Sequence, residues 1–584
     1  MLKQKVSWSF LISILAIPFT VWLLVSSFFS ISPYNSFVVV GIWCWCVVAA
    51  WLGFCLQRSR SQWMEVFVHA LIVLAVIAAF FSIYTFYSQP EMLSYPRMRG
   101  FFDTHNVYAA FLIFPMLAAW RYVIKSAEEN KLKMWMYGTA AAILVSQFIL
   151  TFSRGMWLAT AAAALVFVII HSRNGGVKLL LDRHKVRVTA VSVFIVGVIL
   201  SFGLYWGAIL SSPTYTSEST PSLSPYATET VIENGITARL NYMRDGITLA
   251  RSNLITGVGP GMYDDALKQS KRSFEFYSAH SHNSLINLLV ETGVIGMILG
   301  LLILLGIGGL AVSVLKRYID NGLYGIAAFS VIAVLFHSLV DADFEYALIV
   351  IVLSIVVGSL AGFMALPASL EKGTVFNKRF AIIGIGILLL ATLAHAGSSY
   401  YLKQAQKKIS THPVEALRLV DVSAMFLPFS ATQDVVAAEA LTQIMLKAPA
   451  ANIPRIGEDA LGAIKRAHSK RECYARAYYD EFIVLNILDR IEESAQALRS
   501  SIDCAPTASH DQLLMLVRIQ TALGNYAGAL SVIDEFLPRY ESFSNTGWFA
   551  THQFKDEITS TIASLRASRA SLCQEHGELL GCGE

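Results

Sequence analysis

The sequence predicts an all-α protein: a polytopic bundle of about eleven transmembrane helices followed by a soluble, repeat-like helical domain. Three observations carry this. The 584 residues are 55% hydrophobic and only 15% charged, whereas soluble chains carry about 25% charged residues. Apolar runs of spanning length, roughly 17–25 residues, recur through the first two thirds. After residue 400 the chain turns polar and takes on the periodicity of packed soluble helices.

The predicted spans are 8–30, 36–56, 65–87, 106–124, 134–152, 155–171, 188–209, 284–314, 322–340, 345–366 and 379–398. The first run is too long for a signal-peptide core and has no clear small-residue cleavage site, so it is read as a helix. Basic residues set the orientation, because loops rich in Lys and Arg stay in the cytoplasm. Lys3 and Lys5, Arg58 and Arg60, the group Arg121 to Lys133, the group Arg173 to Arg187, Lys316 and Arg317, and Lys372 to Arg379 fall in the N-terminus and alternate loops. With these inside, the loops 31–35 and 341–344, the long loop 210–283 and everything after residue 400 face outward. The domains are therefore 1–399, including the outward loop 210–283, and 400–584. The formal net charge of +4 gives no reason to expect nucleic acid.

One consequence is chemical. Arg97, Arg99, His105, Arg154, Arg239, His280, His282, His337 and Asp341 all fall at or near the outer face. Ionisable groups at membrane depth are costly and are functional by default; the plainer reading is that some arginines anchor helix ends by snorkelling. The most informative segment is Ser278-Ala-His-Ser-His-Asn-Ser284, where two histidines and Asn283 meet the start of an apolar helix. A titratable group there touches both water and headgroups.

The loop 210–283 is too long for a connector. Ser211–Thr230 is rich in Ser, Thr and Pro and reads as mobile. From Thr237 the sequence predicts a short amphipathic helix with Leu240, Met243, Ile247 and Ala250 on one face and Arg239 at its start. Gly257-Val-Gly-Pro-Gly261 lacks the Gly-Lys-Ser/Thr of a Walker loop and reads as a tight turn over the site. Arg154 sits in a tight outer hairpin, where a guanidinium is suited to bidentate grip on phosphate. Asn106 is as consistent with a helix cap as with substrate contact, and His337 with a structural His–carboxylate pair. Asp341 and Asp343 have the spacing of a metal-binding acidic pair, read here as a chance spacing. No metal and no cofactor is expected.

Cys44, Cys46 and Cys55 read as apolar filler. Cys473, Cys504, Cys573 and Cys582 lie in the outward domain, where four cysteines allow three connectivities; proximity favours Cys473–Cys504 with Cys573–Cys582. In the same domain Ala497-Leu498 with Pro506 is echoed by Ala529-Leu530 with Pro538, and Ala416-Leu417 with Pro428 is a looser copy. Leu523-Gly-Asn-Tyr-Ala-Gly-Ala-Leu530 resembles a tetratricopeptide unit. Stacked helical pairs would present a concave face to a protein partner; an irregular helical domain without a ligand is the alternative.

These parts suit a lipid-linked glycan donor. Spans would hold a polyprenyl tail, arginines would neutralise a diphosphate leaving group, and a histidine would take the proton of an incoming hydroxyl. In this order, Gly100-Phe-Phe-Asp-Thr-His-Asn-Val-Tyr-Ala109, Ser153-Arg-Gly155, Ala238-Arg-Leu240 leading to Gly257-Val-Gly-Pro-Gly261, His282-Asn-Ser-Leu-Ile-Asn-Leu-Leu-Val-Glu-Thr-Gly293 and His337-Ser-Leu-Val-Asp341 resemble the O-antigen ligase and O-antigen polymerase superfamily over roughly residues 90–345. The resemblance implies an inverting, metal-independent glycosyltransferase of the bacterial inner membrane that uses an undecaprenyl-diphosphate-linked glycan, with a cytoplasmic N-terminus and a periplasmic C-terminal domain. It places the catalytic histidine at His282 and the diphosphate-binding arginines at Arg154 and Arg239. Arg97, Arg99, Asn106, His280, Asn283, His337 and Asp341 become supporting candidates. Acceptors in the superfamily are lipid A–core, a growing glycan or a protein; ligase-type transfer to lipid A–core is the leading expectation, with polymerase and protein O-oligosaccharyltransferase as alternatives. Other classes, a polysaccharide transporter or a non-catalytic scaffold, fit less well. A transporter would place charges along a pathway through both leaflets, and a scaffold leaves the outer-face arginines and His282 unexplained.

Overall fold

A computed structural model describes residues 8–59, 62–88, 97–102, 104–172, 184–211, 225–270, 278–317, 322–365, 378–505, 510–544, 555–580 and 582. Among the described residues there are helices and no strands. In chain order the membrane part holds α1 (Trp8–Phe28), α2 (Pro33–Ser59), α3 (Trp63–Ser88), α4 (His105–Glu129), α5 (Lys131–Leu150), α6 (Arg154–Ser172), α7 (His184–Ser211), α8 (Pro225–Ser252), α9 (Tyr263–Ser270), α10 (Ser284–Arg317), α11 (Gly322–His337), α12 (Ala347–Met364) and α13 (Lys378–Lys408). Each predicted span coincides with a helix. By length and composition, α2, α3, α4, α10 and α12 are apolar enough to cross a membrane, and shorter apolar stretches lie in α1, α6, α7 and α11.

The bundle core is built from α3, α4, α5, α6, the end of α10, α11 and α12, with Met98, Tyr108, Leu144 and Met156 fully buried. Hydrocarbon gives helices no hydrophobic reason to associate, so small residues that allow close approach do much of that work. Between α2 and α12, a Cβ on Gly358 would stand 1.9 Å from the Ala50 carbonyl oxygen. Large apolar side chains such as Ile17, Phe28, Leu158 and Ile199 remain exposed, as a lipid-facing surface requires.

α10 is broken. Gly293 has φ 68° and ψ −174° inside it. The residues after the break suffice to span, since at 1.5 Å per residue the stretch from Val294 to Arg317 covers about 36 Å. The break therefore leaves a full spanning length after it, and its freed backbone groups are taken up by the segment Leu254–Gly261. Val258 N–H donates to the Val290 carbonyl at 2.9 Å, Gly259 N–H to the Glu291 carbonyl at 2.9 Å, and Val294 N–H to the Leu254 carbonyl at 2.8 Å. Gly261 N–H donates to the Glu291 carboxylate at 2.9 Å. Val258, Gly259 and Gly261 thus spend their N–H groups on α10, Gly257 N–H goes to the Asn253 carbonyl at 2.9 Å, and none of these is offered to a phosphate.

One expectation for the loop 210–283 is corrected. Arg239 is not at a helix start: α8 begins at Pro225, which suits a first helical position, and runs on through Asn234-Gly235. On the stripe of Leu240, Met243, Ile247 and Ala250, only Ala250 is buried and Met243 is half-buried. Gly246, Leu249 and Ala250 pack inward, while Leu240 and Ile247 are exposed; in a membrane protein an apolar stripe can as well face lipid as the core. Within Ser211–Thr230, residues 212–224 lie outside the described residues, and 225–230 belong to α8.

The C-terminal part continues from α13 through α14 (Pro413–Phe426), α15 (Ala431–Met445), α16 (Ile453–Lys470), α17 (Ala475–Ile487), α18 (Ile491–Cys504), α19 (His510–Ala522), α20 (Tyr526–Ser544) and α21 (Lys555–Leu580). The turns α17–α18 and α19–α20 are alike. Asp489 and Gly524 both take φ near +60–73°, and Arg490 N–H to Leu485 and Asn525 N–H to Gln520 close both helices at 2.9 Å, the left-handed helix-ending motif. Ala497, Leu498, Ala529 and Leu530 are buried on the second helix of each pair. Pro538 lies inside α20, and Pro506 lies outside the described residues. The disulfides are Cys473–Cys504 and Cys573–Cys582. Beside the first, Arg471 pairs with Asp265 of α9 at 2.6 Å, joining this region to the outward loop.

Candidate functional site

Each end of the site is set by a local rule. Thr104 caps α4, its hydroxyl accepting from Val107 N–H at 3.3 Å, so Asn106 is released from capping and stands in the first turn. Ser153 caps α6 through Met156 N–H at 3.4 Å, which places Arg154 at the first helical position with an exposed side chain. Asn283 caps α10, accepting from Leu285 and Ile286 N–H at 3.0 Å each, and its own amide donates to the Leu339 carbonyl at 2.8 Å.

These ends meet at Asp341, in the turn after α11. Asn106 Nδ2 donates to Asp341 Oδ2 at 2.5 Å, Arg239 Nη2 lies 3.8 Å from the same oxygen, and His282 Nδ1 lies 3.3 Å from Oδ1. Ala342 N–H donates to Oδ1 at 2.8 Å. Burial would raise the Asp341 carboxyl, but the hydrogen bond and charge of His282, the charge of His337 and the Ala342 N–H outweigh it and hold it well below the usual carboxylate range. Asp341 is a buried anion framed by donors.

His282 is held from both sides. Its Nε2 is 3.2 Å from Ser278 Oγ, and its ring stacks on Tyr242 with centroids 5.3 Å apart. Asp341 beside Nδ1 favours the tautomer protonated there, which leaves the Nε2 lone pair facing Ser278. The residue has φ 53°, a left-handed conformation costing on the order of 1–3 kcal/mol for a side chain of this type. Such strain persists only where surrounding structure enforces it.

The remaining candidates form layers around this centre. Arg97 Nη1 lies 2.9 Å from His105 Nε2, and His105 is within electrostatic reach of Arg97, Asp341, Arg239 and Arg99. His337 pairs with Asp343, not Asp341, at 2.7 Å, both fully buried. Burial pushes the Asp343 carboxyl up, with the charge and hydrogen bond of His337 working against it. Gly155, next to Arg154, packs on this pair: a Cβ there would sit 3.2 Å from His337 Nε2. His280 faces Tyr346 with ring centroids 6.5 Å apart. The sequence reading did not single out Tyr242, Ser278, Asn287 or Glu345, although Asn287 lies one helical turn beyond Asn283.

Residues 139–301 match the family model described as O-antigen ligase, a stretch that runs from α5 through Arg154, Arg239 and His282 into α10. Over these residues the chain is similar to the O-antigen ligase family. Among curated proteins none matches it. That similarity supports, at a coarse level, glycan ligase- or polymerase-type activity on lipid-linked glycan substrates in a membrane.

Proposed function

We propose that the protein transfers a glycan from undecaprenyl diphosphate to an acceptor hydroxyl at the outer face of the bacterial inner membrane, in the manner of an O-antigen ligase acting on lipid A–core. The observation that carries this reading is the convergence of His282, Arg239 and Asn106 on one buried, ionised Asp341.

In this reading Asp341 accepts from Nδ1–H and keeps Nε2 basic and oriented. The acceptor hydroxyl takes the place of the Ser278 hydroxyl and gives its proton to Nε2 as its oxygen bonds the anomeric carbon. The bond from that carbon to the diphosphate oxygen breaks in the same step, and undecaprenyl diphosphate leaves as an anion. Attack opposite the leaving group inverts the anomeric centre. Asp341 stabilises the imidazolium that forms, and Arg239, Arg154, Arg97 and Arg99 neutralise the diphosphate. Arg239 is about one third exposed (35%), which leaves its guanidinium able to turn from Asp341 to a donor.

The disulfides after residue 400 support an oxidising, periplasmic location for the C-terminal domain, and with it a cytoplasmic N-terminus. The paired helices with matching turns support a tetratricopeptide-like, protein-binding role there. The test is transfer by protein reconstituted in lipid, given the lipid-linked glycan with lipid A–core. Capped lipid A–core supports ligase function; longer lipid-linked glycan without capping points to polymerase; neither product removes the reading.

A further inference from the structure

The left-handed conformation of His282 raises the question of what enforces it. The preceding residue, Ser281, is fully buried. Its N–H donates to Asn287 Oδ1 at 2.8 Å and its hydroxyl to the same oxygen at 2.6 Å. Asn287 is itself buried, and its Nδ2 donates to Glu345 Oε1 at 3.0 Å. An amide can be turned either way round; a carboxylate accepts only, so Glu345 fixes Nδ2 on its own side and Oδ1 toward Ser281. On the other side of His282, Asn283 is tied to α10 and Leu339, and Ser284 N–H donates to the Ser338 carbonyl at 2.9 Å. The clasp joins α10 to the short helix Asp343–Glu345, which begins two residues after Asp341. One set of bonds therefore fixes the imidazole and the carboxylate relative to each other.

We propose that Asn287, oriented by Glu345, is a positioning residue that holds Ser281 and thereby sets the angle at which His282 meets both Asp341 and the acceptor hydroxyl. This rests on His282 being the base. Neither side chain touches substrate in this account, so the effect falls on the chemical step and not on donor binding, which belongs to the arginines. A misplacement of the base by an ångström lowers turnover by about 100-fold.

The experiment compares Asn287→Ala, Glu345→Ala, Glu345→Gln and His282→Ala with the unmodified full chain in reconstituted transfer assays, reading kcat and the KM for the lipid-linked donor. Asn287→Ala and Glu345→Ala should lower kcat by about 10- to 100-fold with donor KM within about twofold. Glu345→Gln keeps an acceptor oxygen for Asn287 and should restore kcat to within a fewfold. Should Asn287→Ala not fold, the Glu345 pair decides, since Glu345 is only half-buried. Equal kcat in Glu345→Ala and Glu345→Gln, or a loss confined to donor KM, overturns the clasp. If His282→Ala is inactive while Asn287→Ala and Glu345→Ala are normal, the clasp alone is wrong; if His282→Ala is also normal, the base assignment falls and the clasp with it.

Discussion

Replacing Gly293 by alanine tests the broken helix on which the outer site is built. At φ 68° and ψ −174° the backbone is in a region open essentially to glycine, and an L side chain there costs on the order of 1–3 kcal/mol. The new Cβ would also stand 1.9 Å from the Ile255 carbonyl oxygen and 2.3 Å from its carbon. Those are backbone atoms with no rotamer to move, so the chain must separate from α10. The bonds at risk are Val294 to Leu254, Val258 to Val290 and Gly259 to Glu291, each worth about 0.5–1.5 kcal/mol net. The sum is a loss on the order of 3–7 kcal/mol. Gly308→Ala is the control: it lies in the same helix, and its Cβ would meet only Leu335 Cδ1 at 3.7 Å, so stability should hold or rise by up to about 1 kcal/mol. Thermal unfolding of the two variants purified in detergent, followed by tryptophan fluorescence, reads the difference. Equal stability of Gly293→Ala and Gly308→Ala would refute the reasoning.

Four further outcomes are expected. Asp341→Asn, which removes a charge held ionised far into the acid range, should lower kcat by about 100-fold or more at every working pH, read as the pH profile of transfer. Gly155→Ala pushes a methyl to 3.2 Å from His337 Nε2 and should reduce turnover and stability together, read by assay and unfolding, whereas the neighbouring exposed Arg154→Ala should weaken donor binding without unfolding the protein. Reversing the pair as Asp265→Arg with Arg471→Asp should recover the resistance to proteolysis of the α9 contact that either single change loses. In the C-terminal domain, burial and the charge of Glu439 push the Asp480 carboxyl up to about 8 against the pull of Arg476. An acid with a raised folded pKa stabilises below its unfolded value near 3.8 and loses that contribution as pH climbs through about 8. Unfolding midpoints should fall across that window and level off above it, and Asp480→Asn should flatten the slope.

The helices were legible because a membrane imposes one length on apolar runs, and all eleven predicted runs are helical. The outward loop was not. Polar residues before Thr237 hide the first turns of α8, and one apolar stripe reads the same whether it faces lipid or core, so the exposure of Leu240 and Ile247 was not legible. In the site, His282 and Asp341 were visible singly, as ionisable residues at a membrane boundary. Their pairing was not, because nothing local links residues 59 apart. His337 was expected to pair within its own motif and does so with Asp343 across one turn. Asn287 and Glu345 carry no signal in sequence: an amide in an apolar helix reads as packing until its partners are known.

The central claim is that His282, oriented by Asp341, takes the proton of the acceptor. The most direct measurement is single-turnover transfer from lipid-linked glycan by the reconstituted protein, with donor binding measured separately, for the unmodified chain and for His282→Ala. The account predicts unchanged donor binding and loss of transfer by about 100-fold or more in His282→Ala. Transfer at the unmodified rate in that variant would contradict it.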